Sequence, residues 1–392
     1  MINNIIYSLI IIVIFFYIYL KICYRFWSSQ PIFHKYNLKH WLFPCGIYYK
    51  TQPLCNKKFF NTKLETFFYN DVSAKKKALL YYLLKTSYLK SSKFIFSLTK
   101  KQLFSFFEKS FHKNYLSLYY DLIPLPKSDG KILKQKRLIS SATSRILIGN
   151  IHKNDIQVSF LDFICIHSKT KYRDFEWNRT FYSHFYNSTK IGAPPIGLIK
   201  KFGIIPYAVP ATVFFAYYFD TKYLDILNLN IPNNFVLYQI KSQNFSLLYD
   251  FLGEIKYVFD LYLIMDLSTM KELINNNILI PFLLMNNTIP IGVYFFKNEL
   301  IKRKGEFSAR LIGSYTIPKY HYYFTASLQN TIYLLKKKYK FSTLIVENIS
   351  HNTLLLKYLL KRKIPKQKEL INYYFYNFIH RPFYSTKVFL LN

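Results

Sequence analysis

Acidic residues are scarce in this chain of 392 residues: 20 Asp and Glu stand against 54 Lys and Arg, a formal net charge of +34. The excess is spread along the whole length rather than gathered in a tail. It describes a general attraction for polyanions, whether nucleic acid, an anionic membrane face or a phosphate-bearing cofactor. It does not choose among them, and part of it follows from a bias toward Lys, Ile, Asn, Tyr and Phe. No RNP, zinc-finger or helix-turn-helix pattern accompanies the charge, so no nucleic-acid partner is expected. Cysteine is rare too: Cys23, Cys45, Cys55 and Cys165 form no CxxC pair and have no neighbouring His at metal-ligand spacing. That argues against a disulfide framework and a zinc site, and it fits a reducing compartment. No Gly/Ser-rich linker and no repeat interrupts the chain.

What is abundant is apolar and aromatic surface. The hydrophobic fraction is 51% and the aromatic fraction 20%, with 38 Phe and 37 Tyr. A chain of that composition has enough apolar area to offset its conformational entropy and fold. Its length suits two domains of ordinary size, or one fold built from two similar halves.

Ile5 to Leu20 (IIYSLIIIVIFFYIYL) is an uncharged apolar run of about 16 residues, ended by Lys21 and followed by Arg25. A bilayer core takes about 20 residues, a length that Met1 to Cys23 reaches if Asn3 and Asn4 lie in the interface. No basic residue precedes the run and no small-residue cleavage site follows it, which disfavours a signal peptide. A buried core helix is the other alternative. With Lys21, Arg25, Lys35 and Lys39 all on the C-terminal side, the positive-inside bias predicts a single-pass anchor over residues 1–23 with the main body in the cytoplasm.

Beyond Lys50, helical and strand-like stretches alternate. Apolar spacing predicts helices over Ala74–Lys85, Lys100–Lys109 and Asp174–Tyr186. It predicts strands over Arg137–Ile148 and Gln157–Ile166, separated by a turn at Gly149-Asn150. The second half repeats the order: helix Ser268–Asn275, strands Ile280–Met285 and Ile289–Phe296 around Asn286-Asn287, helix Ser327–Tyr339, then strands near Leu344 and over Asn372–Phe378. Two copies of a mixed α/β unit are expected.

Several segments carry a resemblance. Tyr24-Arg25-Phe26-Trp27-Ser28-Ser29-Gln30-Pro31 is similar to the FWxTQPV segment of protein N-myristoyltransferases. Further similar stretches follow in family order: Tyr88-Leu89 to Phe96, then Leu103 to Phe107 (NYV…FRFDYS…FLLWAL), and Phe163-Ile164-Cys165-Ile166-His167-Ser168-Lys169 (FLCVHKK). Gly203-Ile204-Ile205-Pro206 resembles AGVVLP, Asn372 to Phe378 resembles QYYLYNW, and Lys387-Val388-Phe389-Leu390-Leu391-Asn392 resembles the family's ending. The resemblance implies an α/β (α+β) fold of two fused acetyltransferase-like (GNAT-type) halves. Residues 24–235 would hold the acyl donor and residues 236–392 the peptide and the terminal carboxylate. It implies transfer of a fourteen-carbon acyl group from myristoyl-CoA to the amine of an N-terminal glycine by a monomer without metal. A membrane-anchored acyl-CoA or lipopeptide binder without turnover is the alternative.

Attack of an amine on a thioester needs a neutral amine and donors aimed at the developing oxyanion. By resemblance, the amides around Phe163 and Ile164 supply the donors and the carboxylate of Asn392 takes the proton. His167 is the rival base, though its place at a strand end suits a structural role. Cofactor contacts carried over are Arg25, Phe26 and Trp27, the strand Phe163, Ile164, Cys165 and Ile166, and the loop Lys169, Lys171, Tyr172 and Arg173 ahead of a helix, where phosphates meet cations and free amides. Other positions depart from the family: Asp174 and Glu176 enter that loop, and an acidic run becomes Lys90-Ser91-Ser92-Lys93. The Thr of a YTAG motif aligns with Lys201, an RYxHR string becomes Phe214 to Tyr218, and a GDG loop becomes Lys366-Gln367-Lys368. Glycine allows backbone conformations and close ligand approach that lysine does not, so a changed peptide site is expected.

Overall fold

The computed structural model describes residues 2–88, 94–126, 132–224, 231–299, 301–303 and 307–392. The Lys90 to Lys93 stretch lies outside them. Helix α1, Ile2–Cys23, has 22 residues and is about 33 Å long at 1.5 Å per residue. Its stretch Ile6–Cys23 has a mean hydropathy of 2.4 and is only 6% buried, so it is long and apolar enough to cross a membrane and is not a core helix of this molecule. Its C-terminal turns touch the body, where Phe16 and Tyr24 set their rings edge-on to Tyr207.

Among the described residues the body is built on a mixed sheet of fourteen strands with helices against it, beside two short ribbons that pair Gly46–Ile47 with Phe378–Ile379 and Phe94–Phe96 with Ile301–Arg303. In chain order the strands of the large sheet are β1 Leu64–Phe68, β2 Tyr115–Pro126, β3 Ile132–Ile151, β4 Asn154–Ile166, β5 Gly197–Phe202, β6 Thr212–Asp220 and β7 Phe235–Gln239. They continue as β8 Leu261–Met265, β9 Leu279–Asn286, β10 Ile289–Asn298, β11 Ser308–Thr316, β12 Thr343–Glu347, β13 Gln367–Tyr376 and β14 Val388–Leu391.

The duplication expected from the sequence is present in the pairing. β1 to β4 form an antiparallel run, then helix α2 (Arg173–Lys190) crosses over to bring β5 parallel to β4. β7, β9, β10 and β11 repeat that run, and helix α3 (His321–Tyr339) brings β12 parallel to β11. Each copy then gives its next strand to the other. β6 leaves the first copy to pair with β12, β13 leaves the second to pair with β5, and β6 and β13 pair with each other at the centre. β8 joins the end of β3, and β14 runs parallel to β8.

Strands β8 and β9 are buried almost throughout. Both faces are covered, which is why their sequences read as continuous apolar runs rather than alternating ones. Helix α2 packs Phe181 and Phe185 inward. It also buries His184 between two hydroxyls, with Ser117 Oγ 2.8 Å from Nδ1 and Ser144 Oγ 3.0 Å from Nε2. Burial holds that imidazole down to about 3, so it stays neutral and its polar atoms stay satisfied.

Four expected element bounds are corrected. The turn after β3 is not at Gly149-Asn150. The strand continues to Ile151, and His152 and Lys153 form the turn with φ of 45° and 70°, as a two-residue type I′ hairpin loop requires. Gly149 is needed for another reason: a Cβ there would lie 1.7 Å from the Tyr262 carbonyl oxygen, where β8 crosses. The helix from Lys100 stops at Phe104 rather than Lys109, because Phe106 and Phe107 both turn into the core. The helix starting near Asp174 runs from Arg173 to Lys190, and the one expected from Ser327 starts earlier, at His321.

Candidate active site

The site begins at an irregularity in β4. Ser144 pairs with Leu161 and Ala142 with Ile164, so Asp162 and Phe163 together face one residue of β3. This is a β-bulge, a device that re-aims side chains and amides next to functional sites. β4 and β5 pair only from Ser159/Gly197 to Leu161/Ile199, and the pairing stops where the bulge begins. A cleft of about 190 Å³ occupies that region, lined by Asp162, Phe163, Lys200, Lys297, Arg310 and Asn392 among others. Phe163 and Asn392, from the two halves of the sequence, therefore meet in one cleft. Asn392 is buried at the end of β14, and its Nδ2 donates to Tyr373 Oη at 3.1 Å.

The walls carry buried charge. Arg145 of β3 grips Asp162 through Nε and Nη2 at 2.6 and 2.7 Å. Arg310 of β11 holds Glu299 and, at 3.1 Å, Glu347. Lys200 of β5 donates to Glu347 at 2.8 Å. The fourth cation, Lys297 of β10, donates to Asn392 O at 2.7 Å. Burial, then the charges of Arg145 and Lys200, pulls the Lys297 ammonium from 10.5 down to about 8. Burial alone would push the Glu299 carboxyl up, but Arg310 outweighs it and holds it below its usual range.

The donors expected at Phe163 are partly engaged. The bulge turns the Phe163 amide toward Thr143, whose Oγ1 accepts its N–H at 3.1 Å. Around it, Tyr88, Phe96, Phe106 and Phe107 set their rings against the Phe163 ring at centroid distances of 5.5, 6.3, 5.7 and 6.2 Å. The cleft is smaller than the roughly 300 Å³ at which pockets begin to bury drug-sized ligands.

The remaining residues expected from the sequence collect around the start of α2. Lys169, Lys171, Tyr172 and Arg173 are all exposed there, and Tyr172 takes a left-handed φ of 59° with no side-chain cap on the helix. Asp174 is exposed beside them. Glu176, by contrast, turns inward and pairs with Arg179 at 2.9 Å, so it does not oppose the basic loop. Phe26 and Trp27 pack on the same helix, Phe26 against Phe181 at 5.9 Å and Trp27 against Trp177 at 6.0 Å, with Arg25 exposed next to them.

Cys165 and Ile166 are buried, and desolvation pushes the Cys165 thiol up to about 12, which leaves it unreactive. His167 lies outside the cleft lining, with Nδ1 accepting the Lys169 amide at 3.1 Å. Burial, then Arg137, lowers its pKa.

Sequence reading missed Arg145, Lys200, Lys297, Arg310, Glu299 and Glu347. The YTAG threonine aligned with Lys201, yet Lys200 enters the cleft while Lys201 is exposed, its Nζ 6.0 Å from the Trp177 ring centre. The available signal was a single charge within an apolar strand, as in Ser144-Arg145-Ile146 and Phe296-Lys297-Asn298. No group of three or more His, Cys, Asp or Glu that could hold a metal occurs among the described residues.

No family model and no curated protein matches this sequence. The fold does match solved structures. Saccharomyces cerevisiae N-myristoyltransferase with bound myristoyl-CoA superposes with a TM-score of 0.66 at 12% identity, covering 93% of this chain and 94% of that one. A second structure of that enzyme with bound myristoyl-CoA gives 0.64 at 14% identity, covering 92% and 89%. A third, with myristoyl-CoA and inhibitors, gives 0.61 at 12% identity over 92% and 91%. The chain therefore has the N-myristoyltransferase fold over nearly its whole length.

Proposed function

We propose that this chain is a membrane-anchored glycylpeptide N-acyltransferase that moves a myristoyl group from myristoyl-CoA to the N-terminal glycine amine of proteins. The observation that carries the reading is the meeting of Asn392 with the bulged Phe163 backbone in one cleft of this fold. The first half holds the acyl donor: Lys169, Lys171 and Arg173 at the start of α2 take the phosphates, and Arg25, Phe26, Trp27 and Tyr172 flank the cofactor. The thioester carbonyl enters at Phe163 and Ile164. The second half presents the glycine amine, and a carboxylate at Asn392 takes its proton as nitrogen attacks and thiolate leaves. Helix α1 holds the body on the cytoplasmic face of a membrane. Because one myristoyl chain binds bilayers only marginally, a product released beside the bilayer would be used where it is made.

Two observations favour the second reading, a binder of acyl-CoA or lipopeptide without turnover. The Phe163 amide is taken by Thr143, and Asn392 O is tied to Lys297.

Incubation with labelled myristoyl-CoA and glycine-initiated peptides separates the two readings. Transfer of label supports the enzyme, whereas tight donor binding with no transfer overturns it in favour of the binder. Adding one residue after Asn392 should abolish transfer; unchanged transfer would remove the carboxylate from the mechanism.

A further inference from the structure

The sequence after α1 folds into an ordered apolar face that no part of the described body covers. Residues Leu38–Leu42 form a short helix, and Leu38, Leu42 and Phe43 are 74%, 66% and 72% exposed. This is not a loose loop. The Asn37 side chain caps the helix, Trp41 Nε1 donates to Lys35 O at 3.0 Å, and the Arg381 guanidinium donates to Trp41 O at 3.2 and 3.1 Å. Lys35 just before the helix and Lys39 within it are exposed.

The position of this face relative to α1 decides what covers it. The body grips α1 well before the helix ends, through Phe16, Leu20 and Tyr24 around Tyr207. The Tyr207 carbonyl accepts the Lys35 amide at 2.8 Å, the next strip joins Val209 N–H to Phe33 O at 2.7 Å, and the Trp41 ring lies 4.8 Å from that of Phe33. Phe16 lies within Ile6–Cys23, the 18-residue stretch long and apolar enough to cross a membrane, and such a stretch covers roughly 27 Å of a bilayer core about 30 Å thick. For α1 to span, its last turns must sit within the apolar layer, which carries Tyr207, Lys35 and the adjoining apolar face down to headgroup depth.

We propose that the segment Leu38–Phe43 lies in the plane of an anionic membrane surface beside α1, as a second lipid contact that fixes the orientation of the body. This rests on the reading of α1 as a membrane span. Leu38, Leu42 and Phe43 enter the boundary between headgroups and acyl chains, as the apolar side of an interfacial helix does. The adjoining lysines face anionic headgroups.

The test uses the full chain in vesicles of phosphatidylcholine and phosphatidylserine whose acyl chains carry bromine near the headgroup or near the chain end. Flotation reports the anchor, and the tryptophan emission lost in Trp41→Phe reports this face. The expected result is flotation with the Trp41 emission quenched, more strongly by shallow bromine than by deep. Leu42→Glu with Phe43→Glu should lose that quenching while the protein still floats. Flotation with an unquenched Trp41 component overturns the lipid contact and leaves the anchor standing. Failure to float overturns both.

Discussion

Lys297 Nζ donates to Asn392 O across 2.7 Å, inside a set of buried charges in which Arg145, Lys200 and Arg310 each hold a carboxylate instead. On the proposed reading of Asn392 as the base, the ammonium keeps that oxygen in the cleft and also weakens it. Transfer should therefore accelerate as Lys297 loses its proton near pH 8. A peptide's N-terminal amine also loses its proton near pH 8, so the expected result is a rise of kcat/KM through that range that is steeper in the wild type than in Lys297→Met. A profile unchanged by the substitution would refute the coupling.

The same group makes a stability prediction. Between about 8 and 10.5 the unfolded chain binds the proton that folded Lys297 has lost, so unfolding free energy rises with pH across that window. The full displacement is worth about 3 kcal/mol, absent below pH 8 and recovered above 10.5. Denaturant titrations of the wild type and Lys297→Met should diverge by this amount across the window.

Thr143 Oγ1 accepts the Phe163 amide N–H at 3.1 Å. Thr143→Val leaves that amide unpaired, at a cost of about 1–3 kcal/mol, and on the proposed reading frees it for the oxyanion. An interaction made only in the transition state raises turnover. A roughly tenfold higher kcat with a lower Tm is expected, and single-turnover assays with calorimetry would measure both.

Asp162→Asn strips the Arg145 guanidinium of its buried anion. Uncompensated buried charge costs about 3–5 kcal/mol, whereas replacing both partners by apolar residues is often close to neutral. In urea unfolding, Arg145→Met with Asp162→Leu should recover most of the loss.

Gly149 and Gly253 should respond in opposite directions to alanine. At Gly149 the new Cβ would meet the Tyr262 carbonyl at 1.7 Å, while at Gly253 nothing lies within 4 Å. Gly149→Ala should destabilise by about 3 kcal/mol as β8 is displaced. Gly253→Ala, inside the helix Phe245–Ile255, should stabilise by up to about 1 kcal/mol. Thermal unfolding of the two variants decides it.

Most of the architecture was legible in local pattern. The helix Ala74–Ser87, the β9–β10 hairpin with its Asn287 turn, and the order of elements in the two halves follow from apolar periodicity and turn residues. The hairpin after β3 misled because Gly149-Asn150 has turn composition. The glycine instead answers a crossing by Tyr262, more than a hundred residues away, which no local window contains. The charges of the cleft were hidden in the same way. Arg145, Lys297 and Glu347 look like isolated interruptions of separate strands until the sheet brings their partners alongside. Phe163 and Lys169, by contrast, sit in one short string of sequence.

The exchange of β6 and β13 has a consequence for how the molecule can be cut. Expressed alone, the first half would leave β5 and the second would leave β12 without the neighbour supplied by its counterpart. Each fragment would thus expose a row of unpaired amides and carbonyls, a ready template for wrong strands. The two halves are expected to be insoluble apart and to recover only when refolded together, with closure of the β6–β13 pair as a slow late step because it joins segments so distant in sequence.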